Sequence, residues 1–168
     1  DVYKRQLDVP KGLIISEAMN ENTKYLAQNG AQHYDWIELQ NRSNKPILLS
    51  EYSLTTSTNT PDRYVLPNVT LQPGDFYVVM ASGDVNLSNT SYKHTDFKLS
   101  EVESLYLYHQ GNLVDSAFLA KIPINYSFAR NENGGFTYSA SPTPKTPNIN
   151  GLTMVSALPE SSIAAGVY

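Results

Sequence analysis

The sequence predicts an all-β domain of the sandwich type, and three observations carry that expectation. Short β-branched and aromatic runs recur at turn-punctuated spacing, which favours a sandwich or barrel over any βαβ arrangement. In the segment Asp35-Trp36-Ile37-Glu38-Leu39-Gln40, Ile37 and Leu39 fall on one face at period two and Trp36, Glu38 and Gln40 on the other, before a turn cluster from Asn41 to Asn44. The composition, with 12 Tyr, 10 Pro and 9 Gly, suits pleated surfaces and turns rather than helices. At 168 residues, 40% hydrophobic and 17% charged, the chain is long enough for one core.

Taken in order, Leu13-Ile14-Ile15-Ser16-Glu17-Ala18 has the length and apolarity of a strand, and the polar excursion from Asn20 to Tyr34 reads as a loop. The Trp36 strand follows, then short strands or bends at Ile47-Leu48-Leu49 and Tyr52-Ser53-Leu54-Thr55. Tyr64-Val65-Leu66 and Val69-Thr70-Leu71 lead into Gln72-Pro73-Gly74-Asp75. There proline fixes φ at the first central position and glycine accepts the positive φ of the second, so a type II turn is expected. Phe76-Tyr77-Val78-Val79-Met80 has the density of a strand buried on both sides and is expected to be central. Val85 to Asp96 reads as a surface loop. Ser104 to Tyr108 and Leu113 to Phe118, separated by Gln110-Gly111-Asn112, form the strongest hairpin signal. Tyr126 to Arg130 and Phe136 to Tyr138, turned by Asn133-Gly134-Gly135, complete the set.

Three prolines in Ser141 to Asn148 withhold the donors that a ladder needs, placing the end of the module near Asn150. The expected organisation is therefore a domain over 7–150 and a linker or the start of a following module over 151–168. Asp1-Val2-Tyr3-Lys4-Arg5-Gln6 resembles an adapter-derived remnant and is set aside. Without cysteine there is neither a disulfide framework nor a thiolate for catalysis. A net charge of −4 with scattered basic residues disfavours nucleic acid as a partner. The sequence contains no apolar run of about eighteen residues that would cross a membrane.

A family resemblance rests on Ile15-Ser16-Glu17, Asp35 to Asn41, Leu71-Gln72-Pro73-Gly74 and the closing Pro142-Thr143-Pro144 to Asn148. In this order and spacing they resemble the lamin tail domain over roughly Leu13 to Asn148. The resemblance implies an immunoglobulin-like β-sandwich. Its Pro-Thr-Pro ending is similar to a bacterial branch found in large secreted or surface proteins, beside hydrolase, nuclease or spore-coat-H-type kinase domains. Pro159 to Tyr168 resembles the opening of a chitobiase C-terminal-type module.

The family-motif residues Glu17, Asp35, Trp36, Glu38, Asn41, Pro73 and Gly74 are read as mainly structural. Trp36, the sole tryptophan, is assigned to the core in preference to stacking on a sugar. Glu17, Asp35 and Glu38 have the option of converging across adjacent strands, as an oxygen-rich Ca²⁺ site does, but the sequence contains no EF-hand loop, so no metal is expected. His33, His94 and His109 lack zinc spacing and are expected to be exposed. Ser/His/Asp catalysis is unsupported without a nucleophile elbow, and no cofactor is expected. Tyr106, Tyr108, Tyr126 and Tyr138 are candidates for an aromatic binding face, the alternative being the ordinary outer cover of a sheet.

The expected function is a noncatalytic interaction or spacer module of a bacterial secreted or cell-surface multidomain protein. Its partner would be a protein or a cell-envelope glycan. An accessory domain of a surface enzyme is the alternative, and a DNA-binding module ranks below both.

Overall fold

The computed structural model describes residues 11–28 and 30–148. These form eleven strands: β1 (Leu13–Met19), β2 (Asp35–Asn41), β3 (Ile47–Leu48), β4 (Tyr52–Thr55), β5 (Tyr64–Val65), β6 (Thr70–Leu71), β7 (Phe76–Ala81), β8 (Glu103–His109), β9 (Asn112–Leu119), β10 (Ser127–Arg130) and β11 (Phe136–Ser139). Single 3₁₀ turns at Leu49–Glu51 and Val85–Leu87 are the only helical elements among the described residues. One sheet has the order β11-β10-β1-β2-β7 and the other β5-β4-β8-β9, with β3 and β6 as a small separate pair. All paired strands are antiparallel.

The main core lies between the two larger sheets. Ile15, Ile37 and Phe128 from the first meet Leu54, Leu105 and Leu107 from the second, all at most 2% exposed. The period-two reading of β2 thus places Ile37 and Leu39 in this core. The other face of β2 is covered as well, contrary to the half-buried pattern. Trp36, Met19, Val78 and Met80 form a second cluster, roofed by Tyr25, Leu26, Tyr34 and Tyr92 from the loops. Trp36 is fully buried, but in this outer cluster rather than between the sheets.

Two local expectations hold at atomic detail. Asp75 N–H donates to Gln72 C=O at 3.0 Å and Gly74 has φ +85°, the geometry of a type II turn. β8 and β9 are joined by Gln110 and Gly111 with φ +48° and +87°, the two positive values of a type I′ hairpin. One expectation fails: β7 pairs with β2 alone among the named strands and so ends its sheet instead of lying centrally. The density that suggested a central strand reflects a different cover. Residues 93–95 of the predicted surface loop pair with it, Met80 N–H donating to Lys93 C=O at 2.9 Å and Thr95 N–H to Met80 C=O at 2.8 Å. The central strand is β1, buried along its whole length.

Candidate functional site

β1 contains the irregularity on which the polar architecture depends. Its register against β2 shifts between Ile15 and Glu17, the signature of a β-bulge with Ser16 as the extra residue. Ile15 and Ala18 therefore both face the main core, while Ser16 and Glu17 engage groups on the outer face of the sheet. Glu17 and Glu38 sit opposite one another across the ladder, both fully buried.

Two carboxylates so placed need donors, and the protein supplies them. Ser16 Oγ donates to Glu38 Oε1 at 2.6 Å and Ser127 Oγ donates to Glu17 Oε2. The remaining donors come from residues 141–148, which lie over this face as a strap. Thr143 donates to Glu17 from its backbone N–H at 3.1 Å and from Oγ1 at 3.2 Å, and Lys145 donates its backbone N–H to Glu38 Oε2. Asn148 Nδ2 completes the closure by donating to Ser16 C=O and Arg130 C=O, both at 2.9 Å. The prolines that withhold a ladder thus leave the alternate N–H groups directed at buried acids. Burial pushes the Glu38 carboxyl up to about 7, opposed by the Ser16 and Lys145 bonds and reinforced by the Glu17 charge. Burial also raises Glu17, against the hydrogen bonds from Ser127 and Thr143.

Asp35 does not join this pair. Lying three positions from Glu38 on β2, it accepts from Leu99 N–H at 2.9 Å, and burial raises it to about 7. The convergence of three acids is therefore corrected to two, because residues 35 and 38 project from opposite faces of a strand of period two. Among the described residues no group of three or more His, Asp or Glu side chains is placed to hold a metal ion.

Asn41, Pro73 and Gly74 are brought together. Asn41 Nδ2 donates to Lys45 C=O at 2.7 Å and to Leu71 C=O at 2.9 Å, its Oδ1 accepts from Ser43 N–H, and its backbone C=O accepts from Gly74 N–H at 2.8 Å. One side chain thereby fixes both the turn after β2 and the Pro73-Gly74 turn before β7.

The histidine expectation needs correction. His94 is fully buried and held by Ser82 Oγ at 2.9 Å and Gln28 Oε1 at 3.2 Å, with Tyr34 edge-on to its ring at 5.2 Å. Burial lowers its pKa. His33 is half-buried, and His109, also half-buried, pairs with Glu51 at 3.0 Å. Spacing reports metal geometry and says nothing of burial, so the burial of His94 within the 85–96 loop has no marker in the residue pattern.

The four tyrosines are divided. Tyr106 and Tyr108 lie on β8 in the four-stranded sheet, half-buried and 7% exposed respectively. Tyr126 and Tyr138 belong to the β10–β11 side and pack against the main core, Tyr138 edge-on to Phe128 at 4.9 Å. They form no single continuous face.

Sequence reasoning passed over Asp115 and Arg130. Beyond Glu17 the β1–β10 pairing ceases, and Ile15 finds its partners in side chains: its N–H donates to Asp115 Oδ2 at 2.8 Å and its C=O accepts from Arg130 Nε at 3.1 Å. Arg130 is also ion-paired to Asp115, both side chains 5% exposed, so the pair bolts β9 of one sheet to β1 and β10 of the other. The available signal was parity: Asp115 shares its face of β9 with Ala117 and Leu119, and that face is the buried one.

A sandwich of two antiparallel sheets whose motif acids serve as internal acceptors defines the chain as an immunoglobulin-like β-sandwich module. It belongs to the lamin tail domain family, whose family model matches residues 8–119. The lamin tail domain is a noncatalytic immunoglobulin-like module. β10, β11 and the strap lie beyond the matched stretch, although β10 pairs with β1 inside it. No curated protein matches the chain. The Pro159 to Tyr168 resemblance lies outside the described residues, as do residues 1–6 and 151–168.

Proposed function

We propose that the chain is an interaction module of a secreted or cell-surface bacterial multidomain protein, with a protein as its partner. The supporting observation is the contrast between its sealed interior and its open edge. Glu17 and Glu38, the paired acids that acid–base chemistry would need, are fully buried and saturated by the module's own donors. β9 ends its sheet, and among the described residues no backbone bond reaches its second edge. That edge also presents Leu113, Val114 and Phe118 at 52%, 44% and 62% exposure. Unpaired backbone groups beside exposed apolar side chains fit an extended protein segment added as a further strand, better than they fit a glycan. The test is binding of the purified chain to protein, cell-envelope polysaccharide and DNA panels, with a Phe118→Asp variant alongside. Saturable binding to a protein that the variant loses is expected. Polysaccharide or DNA binding alone would overturn the partner class, and inertness on every panel would reduce the module to a spacer.

A further inference from the structure

β2 and β10 both run antiparallel to β1, so their C-terminal ends emerge at the same end of the sheet, where the strap also finishes. Gln40 and Arg42 from the first, Arg130, Asn131 and Glu132 from the second and Asn148 from the strap line a cleft of about 180 Å³ there. Two arginines thus face one small polar space, and they are not equivalent. Arg130 is committed, with Nε on Ile15 C=O, one amino group on Gly134 C=O and the other on Asp115. Arg42 is anchored at the near side of its guanidinium, Nε donating to Gln40 Oε1 at 3.1 Å and its backbone N–H to Gly12 C=O at 2.7 Å. Its terminal amino groups have no hydrogen-bond or ion-pair partner among the described residues. Asn131 Oδ1 is occupied by Asn133 N–H and Gly135 N–H, while its Nδ2 has no hydrogen-bond partner among the described residues. The side chain of Arg42 is only part-exposed, and burial together with the adjacent Arg130 charge lowers its pKa against the opposing pull of Asp115.

We propose that this cleft binds one carboxylate group of a small organic acid, gripped in bidentate fashion by the terminal amino groups of Arg42. A planar guanidinium edge with paired N–H groups matches the two oxygens of a carboxylate. The space falls well below the roughly 300 to 1,000 Å³ of pockets for drug-sized ligands, so only a small acid or the end of a larger one enters. Charge selects a monoanion over a phosphate dianion. Asp115 neutralises Arg130, so Arg42 is the cation of the cleft without an ion-pair partner among the described residues, and the exposed Glu132 at the same wall works against a second negative charge.

The test is titration of the ¹⁵N-labelled full chain with acetate and, separately, with inorganic phosphate, followed at Arg42 Nε–H and Asn131 Nδ2. Acetate is expected to produce saturable shifts at both. Arg42→Gln should weaken acetate at least about tenfold, the order expected for loss of a charge-assisted pair. Arg42→Lys, which keeps the charge and loses the fork, should fall between. Glu132→Gln, at an exposed position, should tighten acetate a few-fold without affecting folding. Acetate shifts that do not saturate, that are unchanged in Arg42→Gln, or that are weaker than those of phosphate would overturn the assignment. Amide spectra of each variant separate loss of binding from loss of fold.

Discussion

Replacing Asp115 with Asn tests the link between the two sheets. The substitution keeps the shape and leaves one acceptor for Ile15 N–H, but removes the charge that faces Arg130. Both side chains are 5% exposed, so the guanidinium remains dry and unneutralised. Breaking a buried pair in this way costs about 3 to 5 kcal/mol, far more than the 0 to 1 kcal/mol of an exposed pair. For a chain of this length each kcal/mol lowers Tm by roughly 2 to 4 °C, so a fall on the order of 10 °C is expected. Trp36, fully buried and the sole tryptophan, reports urea unfolding by fluorescence. The midpoint should fall with an unchanged slope. Arg130→Gln and the double variant close a thermodynamic cycle, and the double should cost less than the sum of the singles by about 1 to 3 kcal/mol. A single-variant cost below about 1 kcal/mol, or strict additivity, would refute the bolt between sheets.

Trp36→Ala should cost about 3 to 5 kcal/mol, and because the residue is roofed by Tyr25, Leu26, Tyr34 and Tyr92, amide exchange should quicken first in residues 20–34 and 89–95; uniform acceleration through β8 and β9 would contradict a separate outer cluster. Stability should also depend on pH in an unusual sense. Glu38 and Asp35 have folded pKa values near 7 against ordinary values near 4, so the folded state binds more protons between those limits and stability falls as pH rises through that window, then levels above about 8. Glu38 alone contributes a loss of about 3 kcal/mol at most. His94, buried and lowered, acts in the opposite sense below about 6.5, where protonating the unfolded chain costs stability. Urea midpoints at pH 5.5 and 8.0 should therefore differ in favour of 5.5, and Glu38→Gln should flatten the difference; a higher midpoint at 8.0 would show that the acids are ionised and stabilising.

Much of this fold was legible in the chain. Period two in β2, the Pro73-Gly74 turn and the Gln110-Gly111 hairpin are local properties, and local chemistry decides them. What the sequence did not reveal depends on cover and register. β7 read as central because its residues are buried, yet burial by residues 93–95 and by a neighbouring strand leave the same apolar signature. The Ser16 bulge has no sequence marker, and without it Glu17 would face the core rather than pair with Glu38 outside it. Two of the strap's donors to Glu17 and Glu38 are the backbone N–H groups of Thr143 and Lys145, which every residue except proline possesses, so a reading of side chains does not single them out. Asp115 and Arg130 lie 15 residues apart on different sheets, and only the packed sandwich makes them a pair.

Glu17 and Glu38 are internal acceptors that hold the strap rather than groups held open for a ligand. The most direct measurement is amide hydrogen exchange at Thr143 and Lys145 in the full chain and in Glu17→Ala and Glu38→Ala variants. Both amides should be protected in the parent chain, with Thr143 released by the first variant and Lys145 by the second. Exchange at the rates of an unstructured peptide in the parent, or protection unchanged by either substitution, would show that the strap does not rest on the two acids.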